Sequence, residues 1–203
     1  MIITTDSSST FTPCPAGAYL ARCCSVIDMG TQQTDFNGET KHQRKVLISF
    51  EILDPDTHRD DGKPYLISKR YTASLHEKAS LRRDLEAWRG AKFADAEVQR
   101  FDLGAIVGRT CLLSVIHDTK PDGKTFANIA GISKPPKGMT GSEPTEPLLH
   151  FDLAAPNWPL FDTLGEKLKA QIAASPEYSA ARATKATPPG ATAFDDMPDD
   201  AAF

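Results

Sequence analysis

Alternating hydrophobic and polar positions predict three strands in the first third of the chain. The most regular alternation covers residues 44–53, where one face carries Val46, Ile48, Phe50 and Ile52. The β-branched and cysteine residues of 18–28 predict an earlier strand, followed by a long polar loop that contains the turn dipeptide Asn37-Gly38. Residues 65–73 alternate again after a turn-rich loop and form the third predicted strand.

A helix and a hairpin are predicted to follow. Ser74 and Glu77 have the spacing of a capping box, and Gly90 ends a run with helical periodicity that consists of Leu81, Leu85 and Trp88. Residues 110–117 and 124–132 are typical of two strands, and the Pro-Asp-Gly sequence at 121–123 predicts the turn between them.

Residues 1–134 therefore contain three strands, a helix and two strands. This is the order of elements in a five-stranded oligonucleotide-binding (OB) barrel whose helix lies between strands three and four. The long first loop and the closing hairpin fall where such barrels carry their two binding loops. We expect a mainly β, OB-fold nucleic-acid-binding domain, although a small sandwich or an α+β sheet uses the same order of elements.

The last third of the chain has a different composition. Residues 135–150 are rich in Pro and Gly and predict a linker with no packable face. Within residues 151–178 the spacing predicts one amphipathic C-terminal helix that begins near Pro159, ends before Pro176 and carries the stripe Phe161, Leu164, Leu168 and Ile172. Residues 179–203 are dominated by Ala, Thr, Pro, Gly and Asp and are expected to form a disordered acidic tail.

Charge is distributed unevenly along the 203 residues. Residues 1–134 carry 18 Lys plus Arg against 17 Asp plus Glu, whereas residues 135–203 carry 5 against 10. The formal net charge of −4 therefore belongs to the C-terminal third and does not argue against a nucleic-acid partner for the first 134 residues.

The composition predicts a cytoplasmic protein with no membrane partner. No run approaches the roughly 18 apolar residues of a membrane helix, and the first residues lack the basic and apolar regions of a secretory signal. The four cysteines are too irregularly spaced for a disulfide framework or a zinc site, so we expect reduced thiols.

No motif of a known catalytic chemistry is present. The sequence lacks a Gly-rich phosphate loop, a GxSxG elbow and an HExxH helix, and its five histidines are scattered singly. The acidic loop 54–62 has the composition of a calcium loop, but the register that matches Gly62 puts Thr57 and Arg59 at ligand positions. We therefore expect no catalytic residue, metal or cofactor, and a metal-dependent nuclease is the least supported class of function.

Cations and aromatic rings concentrate on the predicted strands two and three and at the closing hairpin. Single-stranded nucleic acid is held by cationic grooves that follow its phosphates and by rings that stack on its bases. Alternation places Tyr65, Lys69 and Tyr71 on one face of strand three; the alternative is that Tyr71 packs at the barrel rim and Lys69 is solvated. The predicted DNA-binding residues are Lys41, Arg44, Lys45, Tyr65, Lys69, Arg70, Tyr71, Lys124 and Phe126.

The last ten residues combine a compact negative run with an aromatic residue at the final position. Such a peptide can insert its ring into an apolar pocket while its carboxylates meet a basic rim, and it can also compete with DNA for a cationic groove. The alternative is a segment that only aids solubility. The predicted partner-binding residues are Asp195, Asp196, Asp199, Asp200 and Phe203.

Three stretches carry a resemblance to a known family. Residues 41–52, 68–78 (SKRYTASLHEK) and 81–90 (LRRDLEAWRG) resemble bacteriophage proteins of the single-stranded DNA-binding type. The tail is separately similar to the tip of bacterial single-stranded DNA-binding proteins, where an acidic run ends in Ile-Pro-Phe. Here Met197-Pro198 lies within the acids and Ala201-Ala202 precedes Phe203.

This resemblance implies an OB fold that coats exposed single-stranded DNA during phage replication or recombination in the cytoplasm of a bacterial host cell. It also implies that the tail recruits replication or recombination proteins, and a homo-oligomer is compatible with this role. The alternative function is a protein-interaction adaptor of a replication or recombination complex, with incidental DNA contact.

Overall fold

The computed structural model describes residues 12–36 and 38–186, and over these residues the protein is mainly β with a few short helices. The strands are β1 (Gly17–Phe36), β2 (Glu39–Ile52), β3 (Leu66–Thr72), β4 (Thr110–Thr119), β5 (Thr125–Ser133) and β6 (Leu149–Phe151). The helices are α1 (Ser80–Arg89), α2 (Asp95–Val98), α3 (Trp158–Asp162), α4 (Glu166–Ala173) and α5 (Pro176–Ala186), with a 3₁₀ turn at Leu103–Ile106.

The six strands form one sheet in the order β3-β2-β1-β4-β5, and β6 pairs with β1. The pairings along this path are antiparallel, whereas β6 runs parallel to β1. The sheet is open between β3 and β5, although Cα atoms of the two strands approach within 8 Å of each other. Helix α1 packs against both of these edge strands. The prediction of a mainly β fold is therefore confirmed.

The first two strands form a long hairpin where the sequence predicted a loop. β1 is 20 residues long and stays paired with β2 as far as Phe36 and Glu39. The predicted loop is wrong because polar side chains do not prevent the two backbones from pairing, and Gly38, with φ 78°, supplies the left-handed conformation of the tight turn. Register shifts after Cys23 and after Asp28 bend β1 along its length.

The face of β2 that carries the alternating apolar residues forms the centre of the main hydrophobic core. Its four alternating residues are at most 3 % exposed: Val46, Ile48, Phe50 and Ile52. Helix α1 covers them through Trp88, whose ring centroid lies 5.8 Å from that of Phe50. The indole N–H of Trp88 donates to the Thr110 carbonyl at 2.7 Å, so its polar group is satisfied.

Helix α1 begins five residues later than the capping-box spacing predicts. Its N-cap is Ala79, which supplies no side-chain hydrogen bond. The Ser74 hydroxyl instead accepts a hydrogen bond from the His76 N–H at 3.2 Å, which makes a local turn that competes with helix. The predicted end is correct, since Gly90 has φ 73° and its N–H donates to the Glu86 carbonyl at 2.9 Å.

The segment after β5 is fastened to the sheet. Residues 134–148 contain no helix or strand, but the Ser142 N–H donates to the Leu53 carbonyl at 2.7 Å, and a Cβ on Gly141 would collide with the same carbonyl. The expectation of a linker with no packable face is therefore wrong. Pro and Gly content reports backbone preference and does not show whether neighbouring strands offer hydrogen-bond partners.

Three short helices replace the single helix predicted for residues 151–178. Gly165 separates α3 from α4, and Pro176, expected to lie beyond a helix, is the first residue of α5. Residues 179–186 are helical, so the prediction of a disordered tail is wrong for them. Residues 187–203 lie outside the described part of the chain.

These helices enclose a second hydrophobic core on the other face of β1. Val26 faces the main core and the next residue, Ile27, faces the helices, and both are 2 % exposed. The other buried members of this core are Met29, Phe151, Leu153, Trp158, Phe161, Leu164 and Ile172. Three of the four residues of the predicted apolar stripe are therefore buried, namely Phe161, Leu164 and Ile172, and Leu168 is partly buried.

The carboxylate of Glu51 holds the 134–148 segment against β2. It is 1 % exposed, and Oε1 accepts hydrogen bonds from the backbone N–H groups of Thr145 at 2.6 Å and Glu146 at 3.1 Å. Oε2 lies 2.7 Å from the Arg22 guanidinium. Burial alone would raise the pKa of Glu51, but these donors together lower it below the usual 4.5. The carboxylate is therefore charged in the folded protein and stabilises it.

We expect Glu51→Gln to destabilise the protein in a pH-dependent way. Because the pKa of Glu51 is lower in the folded than in the unfolded chain, its contribution is fully present above the unfolded pKa of about 4.3 and is lost as pH falls through the folded pKa. The variant should lose about 3 kcal/mol of unfolding free energy at neutral pH, and the loss should shrink in acid. Urea unfolding followed by circular dichroism at several pH values measures this. Glu143→Gln, exposed in the same segment, is the control, and a loss independent of pH would contradict the assignment.

Candidate nucleic-acid interface

The two tyrosines that were predicted to stack on bases are buried. Tyr65 is 6 % exposed and Tyr71 is 2 % exposed. They share one face with Lys69, as the alternation predicted, but it is the inward face, which also carries the core residue Ile67. The prediction that these rings are exposed is wrong, because alternation shows which residues share a face and not which face meets solvent.

Lys69 and Tyr71 instead anchor helix α1 through Asp84. The Lys69 ammonium lies 2.7 Å and the Tyr71 hydroxyl 2.9 Å from Oδ2 of this carboxylate, which belongs to a residue only 5 % exposed. Burial, and then the Asp84 charge, raises the pKa of Tyr71 above its usual value of 10, so the hydroxyl stays protonated and donates. Both groups are satisfied inside the fold and have a structural role.

Two further predicted cations are close to acids. Arg44 binds both oxygens of Asp28, with its Nε 3.2 Å from Oδ1, and Asp152 lies 3.7 Å from its guanidinium. Lys41 lies 3.4 Å from Glu39 on the exposed hairpin. These charges are partly compensated by their neighbours, which weakens both residues as phosphate ligands.

Lys45 and Arg70 have neutral partners on the outward face of β2 and β3. The Lys45 ammonium donates to Gln43 and Thr72 at 2.8 Å each, and Arg70 donates to Gln171 at 2.8 Å. Neither forms an ion pair with any described residue. Burial, and then the charge of Arg70, lowers the pKa of Lys45. An anion bound between the two cations would relieve this repulsion.

Phe126 presents a partly exposed ring at the open edge of the sheet. It is 37 % exposed, and the Lys120 ammonium lies 4.7 Å from its ring centroid. Lys120 belongs to no ion pair of the described chain, whereas the predicted Lys124 lies 3.8 Å from Asp122. The closing hairpin therefore offers a ring with a cation beside it, an arrangement suited to a base and its phosphate.

A cleft of about 410 Å³ separates Phe126 from β3. Leu66, which is 44 % exposed, and Ser68 line it from the outward face of β3. Arg59 lines it from the preceding loop and lies 3.2 Å from Asp61. The cleft connects the closing hairpin with the strand that carries Arg70.

We name this continuous surface the outer strip. Its cations can bind phosphates, and its exposed Phe ring and Leu side chain can contact bases. Three of its four cations have no acidic partner among the described residues. These three are Lys45, Arg70 and Lys120. The outer strip consists of Lys45, Arg59, Leu66, Ser68, Arg70, Lys120 and Phe126.

Sequence reasoning missed four members of the outer strip, which are Arg59, Leu66, Ser68 and Lys120. Leu66 and Ser68 alternate with the buried Tyr65 and Ile67 and therefore lie on the opposite face of the strand. The same alternation would have predicted them as ligand contacts if the other face had been taken as the exposed one. Lys120 precedes the predicted turn at 121–123 and was recognisable as a hairpin cation.

The described residues contain no group of three or more His, Cys, Asp or Glu side chains placed to hold a metal ion. All four cysteines are buried, and burial raises the pKa of Cys23 to about 12, so this thiol is protonated at neutral pH.

The predicted partner-binding residues Asp195, Asp196, Asp199, Asp200 and Phe203 lie outside the described residues. None of the described helices is long and apolar enough to cross a membrane. No protein-family model matches the chain, and a search of curated proteins finds no significant match.

We expect Tyr71→Phe to lower the unfolding free energy by about 2 kcal/mol, because it removes one hydrogen bond to a buried carboxylate. Affinity for a fluorescein-labelled oligo-dT should not change, since this ring faces the core. Urea unfolding and fluorescence anisotropy measure the two quantities. Tyr178→Phe, whose hydroxyl accepts a hydrogen bond from Arg182 on the helical side, is the matched control. Weakened oligonucleotide binding by the folded variant would restore Tyr71 as a DNA contact.

Proposed function

We propose that this chain is a single-stranded DNA-binding protein whose sheet is an OB barrel left open between β3 and β5. The strand order and the position of α1 between strands three and four support this fold. The approach of β3 and β5, with α1 packed against both, supports a barrel that is nearly closed. OB barrels are partly open and bind oligonucleotides on strands two and three and on the loops between strands one and two and between strands four and five.

The outer strip is the observation that carries this proposal. Lys45 and Arg70 lie side by side with neutral hydrogen-bond partners, so their charges are available to phosphates. On the hairpin between β4 and β5, Phe126 adds an exposed ring with the Lys120 ammonium beside it. A strand bound along the cleft would meet cations at both ends and the Phe126 ring between them.

The biological role we propose is the coating of exposed strands during phage replication or recombination in a bacterial host cell. The resemblance of residues 41–52, 68–78 and 81–90 to phage single-stranded DNA-binding proteins supports this role. The acidic residues of 195–200 support recruitment of replication or recombination proteins.

One observation favours the second candidate, a protein-interaction adaptor with incidental DNA contact. The burial of Tyr65 and Tyr71 leaves Phe126 as the one predicted stacking ring that is exposed among the described residues. A small stacking surface lowers the affinity expected for bases, because each stack contributes roughly 1–3 kcal/mol. DNA titrations therefore decide between the two candidates.

We expect the double variant Lys45→Gln/Arg70→Gln to bind oligo-dT at least about tenfold more weakly at roughly 50 mM salt, because two phosphate contacts are lost. The slope of log affinity against log salt should become shallower by about 1.4. Anisotropy titrations of the full-length protein at several salt concentrations measure both quantities. Lys137→Gln, an exposed cation outside the outer strip, is the control.

Absence of oligo-dT binding by the wild-type chain at this salt concentration would overturn the DNA-binding proposal and leave the adaptor as the better candidate. Equal salt slopes for the wild type and the double variant would show that DNA binds elsewhere on the protein.

We expect Phe126→Ala to weaken oligo-dT binding by roughly 1–3 kcal/mol without changing the salt slope, because it removes a stacking surface and no charge. Met139→Ala is the control, since Met139 is 43 % exposed and lies outside the outer strip. The same titrations measure this effect. Unchanged affinity of the Phe126 variant would remove this ring from the interface.

A further inference from the structure

A second cleft lies behind helix α1, and the proposed DNA interface does not use it. It has a volume of about 630 Å³ and shares no lining residue with the outer strip. Its floor is apolar and consists of Leu85, Trp88, Phe93, Phe101, Ala105 and Ile106. Trp88, Phe93 and Ile106 are each at most 8 % exposed, so the floor is held by the main core and is preformed.

Three cations stand at the rim of this cleft. They are Arg89 from α1, Arg109 before β4 and Lys134 after β5. Arg89 is paired with Glu97 at 3.0 Å and stacks 4.8 Å from the Phe93 ring centroid. Arg109 and Lys134 form no ion pair with any described residue. The rim therefore carries two uncompensated positive charges above an apolar floor.

This combination selects a particular kind of ligand. An aromatic or branched apolar side chain fits the floor, because ring edges and aliphatic groups line it and the volume lies within the range of small-ligand sites. Carboxylates close to that side chain would pair with Arg109 and Lys134 at the rim. A basic or uncharged apolar peptide would leave the two cations uncompensated.

One segment of this chain has that chemistry. Residues 191–203 contain four Asp, no Lys or Arg, and the two aromatic residues Phe194 and Phe203. They follow α5, and residues 187–203 can span up to about 60 Å when extended, against a radius of gyration of about 16 Å for a domain of this size. We propose that the cleft behind α1 is a docking site for this acidic segment, with a Phe ring on the apolar floor and aspartates at Arg109 and Lys134.

The site is independent of the proposed DNA-binding function. A segment docked behind α1 does not occupy the outer strip, so DNA binding does not require its displacement. A partner protein that captures the same acidic residues would have to compete with the cleft for them.

The two tryptophans allow a direct test in full-length protein, because Trp88 lines this cleft and Trp158 lies in the second core. The protein is labelled with 5-fluorotryptophan, and the two ¹⁹F resonances are assigned with Trp→Phe variants. The tail variant changes all four Asp of 191–203 to Asn and both Phe to Ala. We expect the Trp88 resonance to differ between the wild type and the tail variant and the Trp158 resonance to stay in place. A synthetic peptide of residues 191–203 added to the tail variant should return the Trp88 resonance to its wild-type position in a saturable titration.

The rim is tested with Arg109→Glu/Lys134→Glu, made in the tail variant. This change should weaken peptide binding at least about tenfold, because it places like charges opposite the aspartates. Lys124→Glu/Lys167→Glu reverses the same number of exposed charges, one at the opposite end of β5 from Lys134 and one on α4, and should bind the peptide normally. Circular dichroism melts confirm that each variant is folded, and peptide anisotropy provides a second readout.

A Trp88 resonance that is identical in the wild type and the tail variant would overturn the proposal, as would equal movement of both resonances. Peptide binding that is unaffected by the rim variant would also overturn it. None of these measurements includes DNA, so their failure is distinguishable from failure of the proposed DNA-binding function.

Discussion

The fold depends on strand β1 being covered on both faces. Val26 and Ile27 are adjacent and face opposite ways, yet each is 2 % exposed, because the main core lies on one side and helices α3 to α5 lie on the other. Exposure of either face would return a large apolar area to water, at about 25 cal/mol for each Å². The C-terminal third is therefore part of the folded unit and not an appendage to it.

This arrangement demands close contact between α5 and the hairpin. The Thr31 N–H donates to the Glu177 carboxylate at 2.8 Å, and a Cβ on Gly30 would collide with Ser175. Gly30 also has φ 67°, a conformation that side chains disfavour, and it lies at one of the register shifts that bend β1. The other register shift, after Cys23, falls where β1 changes partner from β4, paired as far as Arg22, to β6, paired from Ser25.

The same packing determines which surface is left for a ligand. Leu47 joins the second core and Arg70 contacts Gln171 of α4, so the C-terminal helices reach the outward face of β2 and stop beside β3. Charge pairing narrows the choice further, because Arg44 and Lys69 are held by acids. Among the described cations without an acidic partner, Lys45, Arg70 and Lys120 lie on the outer strip, and Arg109 and Lys134 line the cleft behind helix α1.

The sequence by itself determined the order of the first five strands and helix α1, the apolar face of β2 and the closing hairpin, because these depend on local periodicity and turn residues. It also predicted Lys45, Arg70 and Phe126 as DNA contacts from their chemistry, and these three lie on the outer strip. Only the tertiary structure decided that Tyr65 and Tyr71 face inward, that Lys69 is held by Asp84, and that the Pro- and Gly-rich segment is fastened by Glu51. Periodicity shows which residues share a face but not which face is buried. The partners that bury a face or neutralise a charge come from distant parts of the chain, so these outcomes are decided only when the chain folds.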